Sequence, residues 1–297
     1  MEKEIIKKRA EHLKRKEDLL ALLNDIKADE LGDKGYPLTM KQINFYCNPT
    51  SVPNSKRYND FFIAKKSGGK RRISAPVIGL KAIQTYLNLI FQAIYEPSPW
   101  AMGFVHNRSV VDNAKTHVGQ NYVFNLDIKD FFPSIPQARV WGRLKVQPFN
   151  FTQEVASVIA GLCCMKVVTE EAESYVLPQG APTSPLLTNA ICDKLDYKLS
   201  RLARHYGLKY SRYADDITFS SMHNVYQQDS KFLKSLFQII QGQGFQVNVA
   251  KTRLQKKGSR QEVTGLVVSD KVNVTRKYTE EIRNILVLIG KNISTPS

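Results

Sequence analysis

The stretch RYADDITFS, from Arg212 to Ser220, places two adjacent aspartates between two short runs of β-prone residues. An aromatic residue precedes the pair and an apolar run follows it, which predicts a half-buried β-hairpin with the pair at its tip. Adjacent aspartates in a turn are by themselves common and exposed. Two carboxylates about 4 Å apart repel each other by roughly 4 kcal/mol at an effective dielectric constant near 20. A pair held in a buried hairpin therefore indicates either a bound proton or a bound cation.

A second acidic strand lies upstream, in the segment NYVFNLDIKDFF from Asn121 to Phe132. Its residues alternate between an apolar face and a face that carries Asp127. If this strand pairs with the hairpin, Asp127, Asp215 and Asp216 meet in one cleft. Carboxylate oxygens suit Mg²⁺, and two such ions can stabilise the attacking and leaving oxygens of a phosphoryl transfer.

The charge of the chain indicates a polyanionic partner. Lys and Arg number 43 and Asp and Glu number 27 among 297 residues, which gives a net charge of +16. Such an excess favours nucleic acid as the partner, with a merely basic enzyme as the alternative.

The cysteines and the N-terminal segment bear on the compartment. The four cysteines, Cys47, Cys163, Cys164 and Cys192, contain no Cys-x-x-Cys pair, which predicts neither a zinc site nor a disulfide framework. The first residues are charged throughout, and no run of 18 apolar residues occurs, so we expect no secretory signal and no membrane span. These features predict a cytoplasmic protein without a membrane partner.

The order of elements predicts an α+β fold, because strands and helices mix without regular βαβ alternation. A hairpin is expected with strands at Phe61–Ala64 and Arg71–Ser74 and a turn at Gly68-Gly69. A polar loop is expected through Asn113 and His117, and short strands around Val247 and Val267. Helices are expected over about residues 3–28, 80–96, 152–165, 230–241 and 278–289, with a long one that ends near Gly207.

Five segments together resemble the reverse transcriptases, which are polymerases of the right-hand fold. YADD resembles the reverse-transcriptase signature, and NLDIKDFF resembles the strand that carries the other metal-binding aspartate. The nucleotide-site loop of the family is similar to LPQGAPTSP at Leu177–Pro185. The fingers pattern is similar to RRISAP at Arg71–Pro76, and the later lysine motif is similar to NVAKT at Asn248–Thr252. The match in order and spacing extends from about Phe62 to Val268.

The resemblance implies fingers, a palm whose antiparallel sheet is flanked by helices, and a short or truncated thumb. The expected segments are an N-terminal helical region (1–35), fingers (36–120), the palm catalytic strand (121–136), the second part of the fingers with the nucleotide-site loop (137–184), the palm with the YADD hairpin (185–268) and the start of the thumb (269–297). Reverse transcriptases of the kind described below normally continue into a longer thumb. A shortened sequence and a partner that supplies the missing surface both remain open.

The resemblance also assigns the catalytic residues. Asp127 and Asp215 would ligate two Mg²⁺ ions together with the backbone carbonyl of Ile128, and Asp216 would complete the acidic cluster. The primer hydroxyl then attacks the α-phosphorus of a dNTP, and pyrophosphate leaves.

Six further residues are implied in dNTP binding: Lys70, Arg71, Phe132, Gln179, Ala214 and Lys251. Arg71, with Lys70 or Arg72 nearby, would hold the triphosphate, although an exposed basic hairpin is the alternative. The Phe132 ring would collide with a ribose 2′-hydroxyl and so favour dNTPs. The alternative role of this residue is ordinary core packing. Gln179 would contact the nucleotide or only shape its loop, and Ala214 leaves room for the primer. Lys251 would protonate pyrophosphate or bind a phosphate.

Two shorter elements resemble hallmarks of bacterial retron reverse transcriptases. NAKTH, with Asn113 and His117, precedes the first catalytic strand, and VTG, with Val263, Thr264 and Gly265, follows the lysine motif. The resemblance implies that these residues bind RNA, although a lone histidine is also commonly a hydrogen-bonded structural residue.

A retron enzyme copies part of a cognate structured noncoding RNA into a branched RNA–DNA hybrid (msDNA). Its implied partners are that RNA and its DNA product, dNTPs, an effector protein in antiphage defence, and host ribonuclease H. The alternatives are another bacterial defence or group-II-intron-like reverse transcriptase, an RNA-dependent RNA polymerase, and a noncatalytic RNA-binding scaffold with a polymerase fold.

Overall fold

The computed structural model describes residues 1–32, 36–65, 68–169 and 172–293. The helices in these ranges are α1 (Lys3–Ala10), α2 (Lys16–Leu31), α3 (Met40–Tyr46), α4 (Ile78–Ile94), α5 (Val110–Thr116), α6 (Gln137–Leu144), α7 (Gln153–Cys163), α8 (Ser184–His205), α9 (Lys231–Gln241) and α10 (Arg276–Ile293). The strands are β1 (Tyr58–Ala64), β2 (Lys70–Pro76), β3 (Tyr122–Asp127), β4 (Met165–Val168), β5 (Glu173–Val176), β6 (Lys209–Tyr213), β7 (Asp216–Ser221), β8 (Arg253–Lys256), β9 (Glu262–Val263) and β10 (Leu266–Val267).

The strands form one four-stranded sheet in the order β6-β7-β3-β8 and three two-stranded sheets, β1-β2, β4-β5 and β9-β10. All of these strand pairs are antiparallel. The predicted α+β class is therefore confirmed. Among the described residues, no helix combines the length and apolar character needed to cross a bilayer.

The chain divides into two compact units. The first comprises Met1–Ser98 and Asp130–Lys194, and the second comprises Pro99–Lys129 and Leu195–Ser297. These boundaries differ by several residues from the expected ends of the palm segments at 136 and 185. The assignment of fingers, palm and thumb segments stays a prediction, and its residues 33–35, 66–67, 170–171 and 294–297 lie outside the described ranges.

In the first unit, α4 supplies much of the core. Its apolar residues recur at helical spacing, and the buried ones include Leu80, Ile83, Leu87, Ile90 and Phe91. The helix packs against α1, α2 and α7. Burying one such side chain stabilises the fold by roughly 1.5–3 kcal/mol, so this helix anchors the unit.

The single N-terminal helix expected over residues 3–28 is two helices, so that prediction is wrong. The Asp18 carboxylate accepts hydrogen bonds from the backbone N–H of Lys14 and of Arg15, at 3.0 and 2.9 Å. These bonds satisfy N–H groups at the start of α2 and fix Arg15 in an extended conformation. A local side-chain cap thus starts a new helix where the hydrophobic pattern runs on.

The expected hairpin in the first unit is present, with longer strands than predicted. β1 and β2 pair from Tyr58 opposite Pro76 to Ala64 opposite Lys70. Gly68 and Gly69 have φ of 84° and 79°, which favours glycine at both turn positions.

The second unit is built around the four-stranded sheet. β6 and β7 form the hairpin predicted from RYADDITFS, with Tyr213 opposite Asp216. β7 also pairs with β3, and β3 pairs with β8. The aromatic rings of Tyr210, Phe219 and Phe232 pack together against one face of the sheet.

Two expectations for this unit are wrong. The segment around Val247 makes a single bridge to Ile128 rather than a strand. The expected polar loop contains helix α5, which begins because the Ser109 hydroxyl accepts a hydrogen bond from the Asp112 N–H while the Asp112 carboxylate accepts one from the Ser109 N–H.

Candidate active site

The sheet of the second unit brings the three predicted aspartates together. Asp127 is the last residue of β3, Asp216 is the first residue of β7, and the two lie directly opposite each other in the strand register. Asp215 occupies the turn before β7, and its carbonyl oxygen accepts a hydrogen bond of 3.0 Å from the Ile128 N–H. The ends of two neighbouring strands thus hold the acidic residues in one place.

Asp127 is buried and is held by a cation. The Lys251 ammonium lies 3.0 and 2.9 Å from its two carboxylate oxygens. Asn248 adds two bonds to the same residue, because its side-chain amide donates to Oδ1 at 3.2 Å and its backbone N–H donates to the Asp127 carbonyl at 2.7 Å. The lysine motif therefore neutralises the most buried carboxylate of the site.

The pKa of the Asp216 carboxyl is raised by its surroundings in the cluster. Although the residue lies at the exposed end of β7, partial removal of its carboxylate from water and the charges of Asp215 and Asp127 raise its pKa to about 6. Lys251 and Arg253 act in the opposite direction. A site that raises a carboxyl pKa in this way favours either a proton or a bound cation.

The chemistry of this cluster fits a divalent metal ion. Three carboxylates and the backbone carbonyl of Ile128 are hard oxygen donors, and a cation would relieve the repulsion that raises the Asp216 pKa. Within the described ranges, however, no three Asp, Glu, His or Cys side chains are arranged to hold a metal ion together. The residues nevertheless offer the type of ligand atom that a divalent cation requires. Because the Lys251 ammonium contacts both carboxylate oxygens of Asp127, Lys251 must move before Asp127 can bind such an ion.

Four of the residues expected to bind a nucleotide lie in the first unit. The Gln179 carbonyl accepts a hydrogen bond of 2.8 Å from the Ser74 N–H, which fastens its loop to β2. Phe132 is half-buried, with its ring edge-on to that of Phe131. Lys70 and Arg71 are exposed on β2.

The remaining two, Ala214 and Lys251, lie in the second unit. Arg72, considered as a companion of Arg71, instead forms an ion pair of 2.6 Å with Asp60. Arg71 remains the arginine of β2 that the resemblance assigns to the triphosphate. The nucleotide-binding roles of all six residues stay predictions.

The two short retron motifs meet inside the second unit. His117 is fully buried, and its Nδ1 and Nε2 each lie 2.7 Å from a hydroxyl, of Ser220 and Ser211 respectively. The Ser211 hydroxyl donates to the Asn113 side-chain oxygen at 2.6 Å, and the Asn113 amide lies 3.4 Å from the Thr264 hydroxyl. Because the one proton of Ser211 goes to Asn113, His117 must donate from Nε2 and accept at Nδ1.

This network keeps the histidine neutral. Burial, together with the charge of Lys209, lowers the pKa of His117 to about 3. Asn113 and Val263 are buried as well, and Val263 packs with Ala114, Val123 and Val268. Thr264 is half-buried and Gly265 is exposed, so the expected RNA contact of these motifs falls to that turn. Their RNA-binding role stays a prediction.

The sequence did not point to a buried ion pair between Arg212 and Asp196, beside the turn that carries Asp215. The available signal was an aspartate among the apolar positions of a long helix, next to Leu195 and before Leu199. A buried charge at such a position requires a partner.

An antiparallel sheet with aspartates at the adjoining ends of two neighbouring strands is the palm arrangement of template-directed polymerases. The family model described as reverse transcriptase (RNA-dependent DNA polymerase) matches residues 63–273. The chain belongs to this family, so the predicted right-hand polymerase fold with a palm sheet is confirmed. Polymerases of this family depend on divalent metal ions.

Similar proteins indicate which group of reverse transcriptases the chain belongs to. The Retron Mx65 reverse transcriptase of Myxococcus xanthus is 38% identical over 241 residues, which is 78% of this chain and 56% of that protein. The Retron Ec86 reverse transcriptase of Escherichia coli is 38% identical over 233 residues, which is 76% of this chain and 68% of that protein. The chain is therefore a member of the bacterial retron group, as its motifs predicted, and it spans between about half and two thirds of the length of these relatives.

A solved structure of apo telomerase from Candida tropicalis, truncated from its C-terminal domain, is also similar. Its TM-score is 0.49 at 14% sequence identity, and the match covers 86% of this chain and 60% of that chain.

Proposed function

We propose that the protein is a retron-type RNA-directed DNA polymerase that copies part of a cognate structured noncoding RNA into a branched RNA–DNA hybrid. The observation that carries the proposal is the convergence of Asp127, Asp215 and Asp216 in a chain of the reverse transcriptase family. The net charge of +16 supports an RNA partner, because proteins grip RNA largely through its phosphates, its 2′-hydroxyls and its shape.

In this proposal, Asp127, Asp215 and the Ile128 carbonyl would hold two Mg²⁺ ions, and Asp216 would complete the cluster. The ions, when bound, supply charge neutralisation at the attacking and leaving oxygens. The chain's own residues position the reactants: a primer hydroxyl attacks the α-phosphorus of the dNTP and pyrophosphate leaves.

Lys251 has a second role in this mechanism. The Lys251 side chain, whose ammonium contacts Asp127, is about half exposed, so it has room to turn toward a phosphate. There it would bind the leaving pyrophosphate or protonate it.

The biological setting belongs to the same proposal. The enzyme would act in the bacterial cytoplasm on its cognate RNA, start synthesis from a 2′-hydroxyl of that RNA and use dNTPs. An effector protein would join it in antiphage defence, and host ribonuclease H would remove the copied template. Phe132 would restrict the substrates to deoxynucleotides.

Primer extension on a primed RNA template tests the proposal. We expect the wild-type protein to incorporate dNTPs in preference to NTPs, and Asp215→Ala with Asp216→Ala to abolish extension while RNA affinity stays within about twofold, because the removed carboxylates hold metal rather than RNA. Asp270→Ala, at an exposed aspartate of the same unit, is the matched control. Full-rate synthesis by the double variant would contradict the assignment.

Nucleic acid that copurifies with the protein separates the retron enzyme from its alternatives. A product that changes mobility after treatment with a 2′–5′ debranching enzyme supports the retron assignment. An unbranched cDNA would favour another bacterial reverse transcriptase. Copurified RNA without attached DNA, together with a protein that extends no primer, would favour the noncatalytic RNA-binding scaffold.

A further inference from the structure

The turn that carries Asp215 has an unfavourable backbone conformation. Ala214 has φ of 57°, in the left-handed region that residues with a side chain seldom adopt. Such a conformation persists only where the surroundings over-determine it, and it is found preferentially at functional sites. The contacts around Ala214 therefore identify what holds the acidic turn in place.

Arg212 supplies the first of these contacts. Its guanidinium donates to the Ala214 carbonyl from Nη1 at 3.1 Å, and to Asp196 from Nε and Nη2, both at 2.8 Å. The Tyr210 hydroxyl donates to the same Asp196 carboxylate at 2.7 Å. Tyr210 and Arg212 lie on one face of β6, because side chains two positions apart on a strand share a face. One aspartate of α8 thus fixes the arginine that holds the turn.

The backbone of the second unit supplies further contacts. The Arg212 N–H donates to the Trp100 carbonyl at 2.9 Å, and the Arg212 carbonyl accepts from the Met102 N–H at 2.7 Å. A Cβ atom on Gly103 would lie 2.6 Å from the Ala214 nitrogen, so this glycine allows the two backbones to touch. The turn is therefore enclosed by the Arg212 guanidinium and by the segment around Gly103.

The Arg212–Asp196 pair is fully buried, with both side chains at 0% exposure. Removing two charges from water is costly, and well-packed apolar side chains of similar size often give an equal or greater stability. Stability alone is thus a weak reason for this pair. The hydrogen bond from Arg212 to the Ala214 carbonyl gives it a specific task.

We propose that Arg212 and Asp196 are positioning residues for the catalytic reaction, which set the Ala214 turn so that Asp215 meets Asp127. The inference rests on the proposed polymerase function. Arg212 is fully buried, and it would act through the backbone of Ala214, the residue before Asp215. Only an arginine combines the two-pronged contact to Asp196 with a third donor for Ala214, because a lysine is a single point of charge.

The test compares two variants with the wild-type enzyme. Arg212→Lys keeps the charge and loses the contact geometry, and Asp196→Leu with Arg212→Met replaces the pair by apolar side chains. We expect at least one of them to melt within about 5 °C of the wild type. In that variant, kcat for dNTP incorporation should fall by about tenfold or more, while the KM for dNTP and the RNA affinity change less than about twofold. Tyr226→Phe, which removes a buried hydroxyl of the same unit outside this network, is the control and should keep the wild-type kcat.

The possible outcomes separate the two proposals. A wild-type protein that extends no primer contradicts the proposed function itself. A folded variant with the wild-type kcat, beside an active wild-type enzyme, overturns the positioning role alone. In a further outcome, both variants lose activity only where they unfold and regain it when assayed below their melting temperatures. That result overturns the positioning role too, because the pair would then serve stability only.

Discussion

The buried His117 makes the stability of the second unit sensitive to acid. In the folded protein its pKa is about 3, whereas in the unfolded chain a histidine pKa lies near 6.5. Below pH 6.5 the unfolded chain takes up a proton that the folded protein refuses, so the free energy of unfolding falls as the pH falls. A single such group lowers the free energy of unfolding by roughly 2–3 kcal/mol from pH 7.0 to 4.5.

The measurement is urea unfolding at pH 7.0 and 4.5, for the wild type and for His117→Gln. The chain has two tryptophans, and Trp141→Phe in both proteins leaves Trp100 as the reporter of the second unit. At pH 7.0 the variant should be less stable by about 1–3 kcal/mol, because glutamine cannot satisfy both Ser211 and Ser220 in the same geometry. On acidification from pH 7.0 to 4.5, the variant should lose roughly 2–3 kcal/mol less of its free energy of unfolding than the wild type.

The exposed His106 provides the control, since His106→Gln should keep the full acid sensitivity of the wild type. Equal losses in the wild type and in His117→Gln would refute the reasoning. That result would mean that His117 is accessible to protons and that the network with Ser211 and Ser220 does not hold it neutral.

Two further predictions follow from single contacts. Lys251→Met should raise the affinity of the protein for Mn²⁺ by roughly two- to fivefold, because a half-exposed lysine no longer competes for Asp127. Calorimetric titration without substrate measures this affinity, and unchanged or weaker binding would contradict the prediction. Gly161→Ala should destabilise the protein by more than about 1 kcal/mol, because the new Cβ would lie 1.9 Å from the Cys47 carbonyl oxygen. Gly142→Ala, also in a helix but with no atom within 4 Å of its Cβ, should raise the melting temperature instead, and similar shifts in both variants would contradict this explanation.

The strands that carry the three aspartates were predictable because their sequences carry a period of two. Alternation placed Asp127 on the polar face of its strand, and the hairpin around Asp215 followed from β-prone runs on both sides of a short turn. These signals are local and agree with each other, so they fix both the element and the side of the sheet.

Other features could not be predicted because they depend on pairs of distant side chains. The break between α1 and α2 arises from one capping carboxylate, Asp18, within a continuous hydrophobic pattern. The contact between Asn113 and Thr264 joins residues 151 positions apart. Periodicity is silent on such pairs, so the burial of the Asn113 side chain could not be predicted from it.

The pairing of β3 with β7 also fixes when the acidic centre can form. Strand β3 ends at residue 127, and its partner begins only at residue 216, with β8 later still. A growing polypeptide on the ribosome therefore carries Asp127 long before the residues that complete the cluster have been made. Closing so long a loop is slow compared with forming helices. The acidic cluster of a nascent chain would thus stay incomplete until the later strands of the sheet have paired with β3.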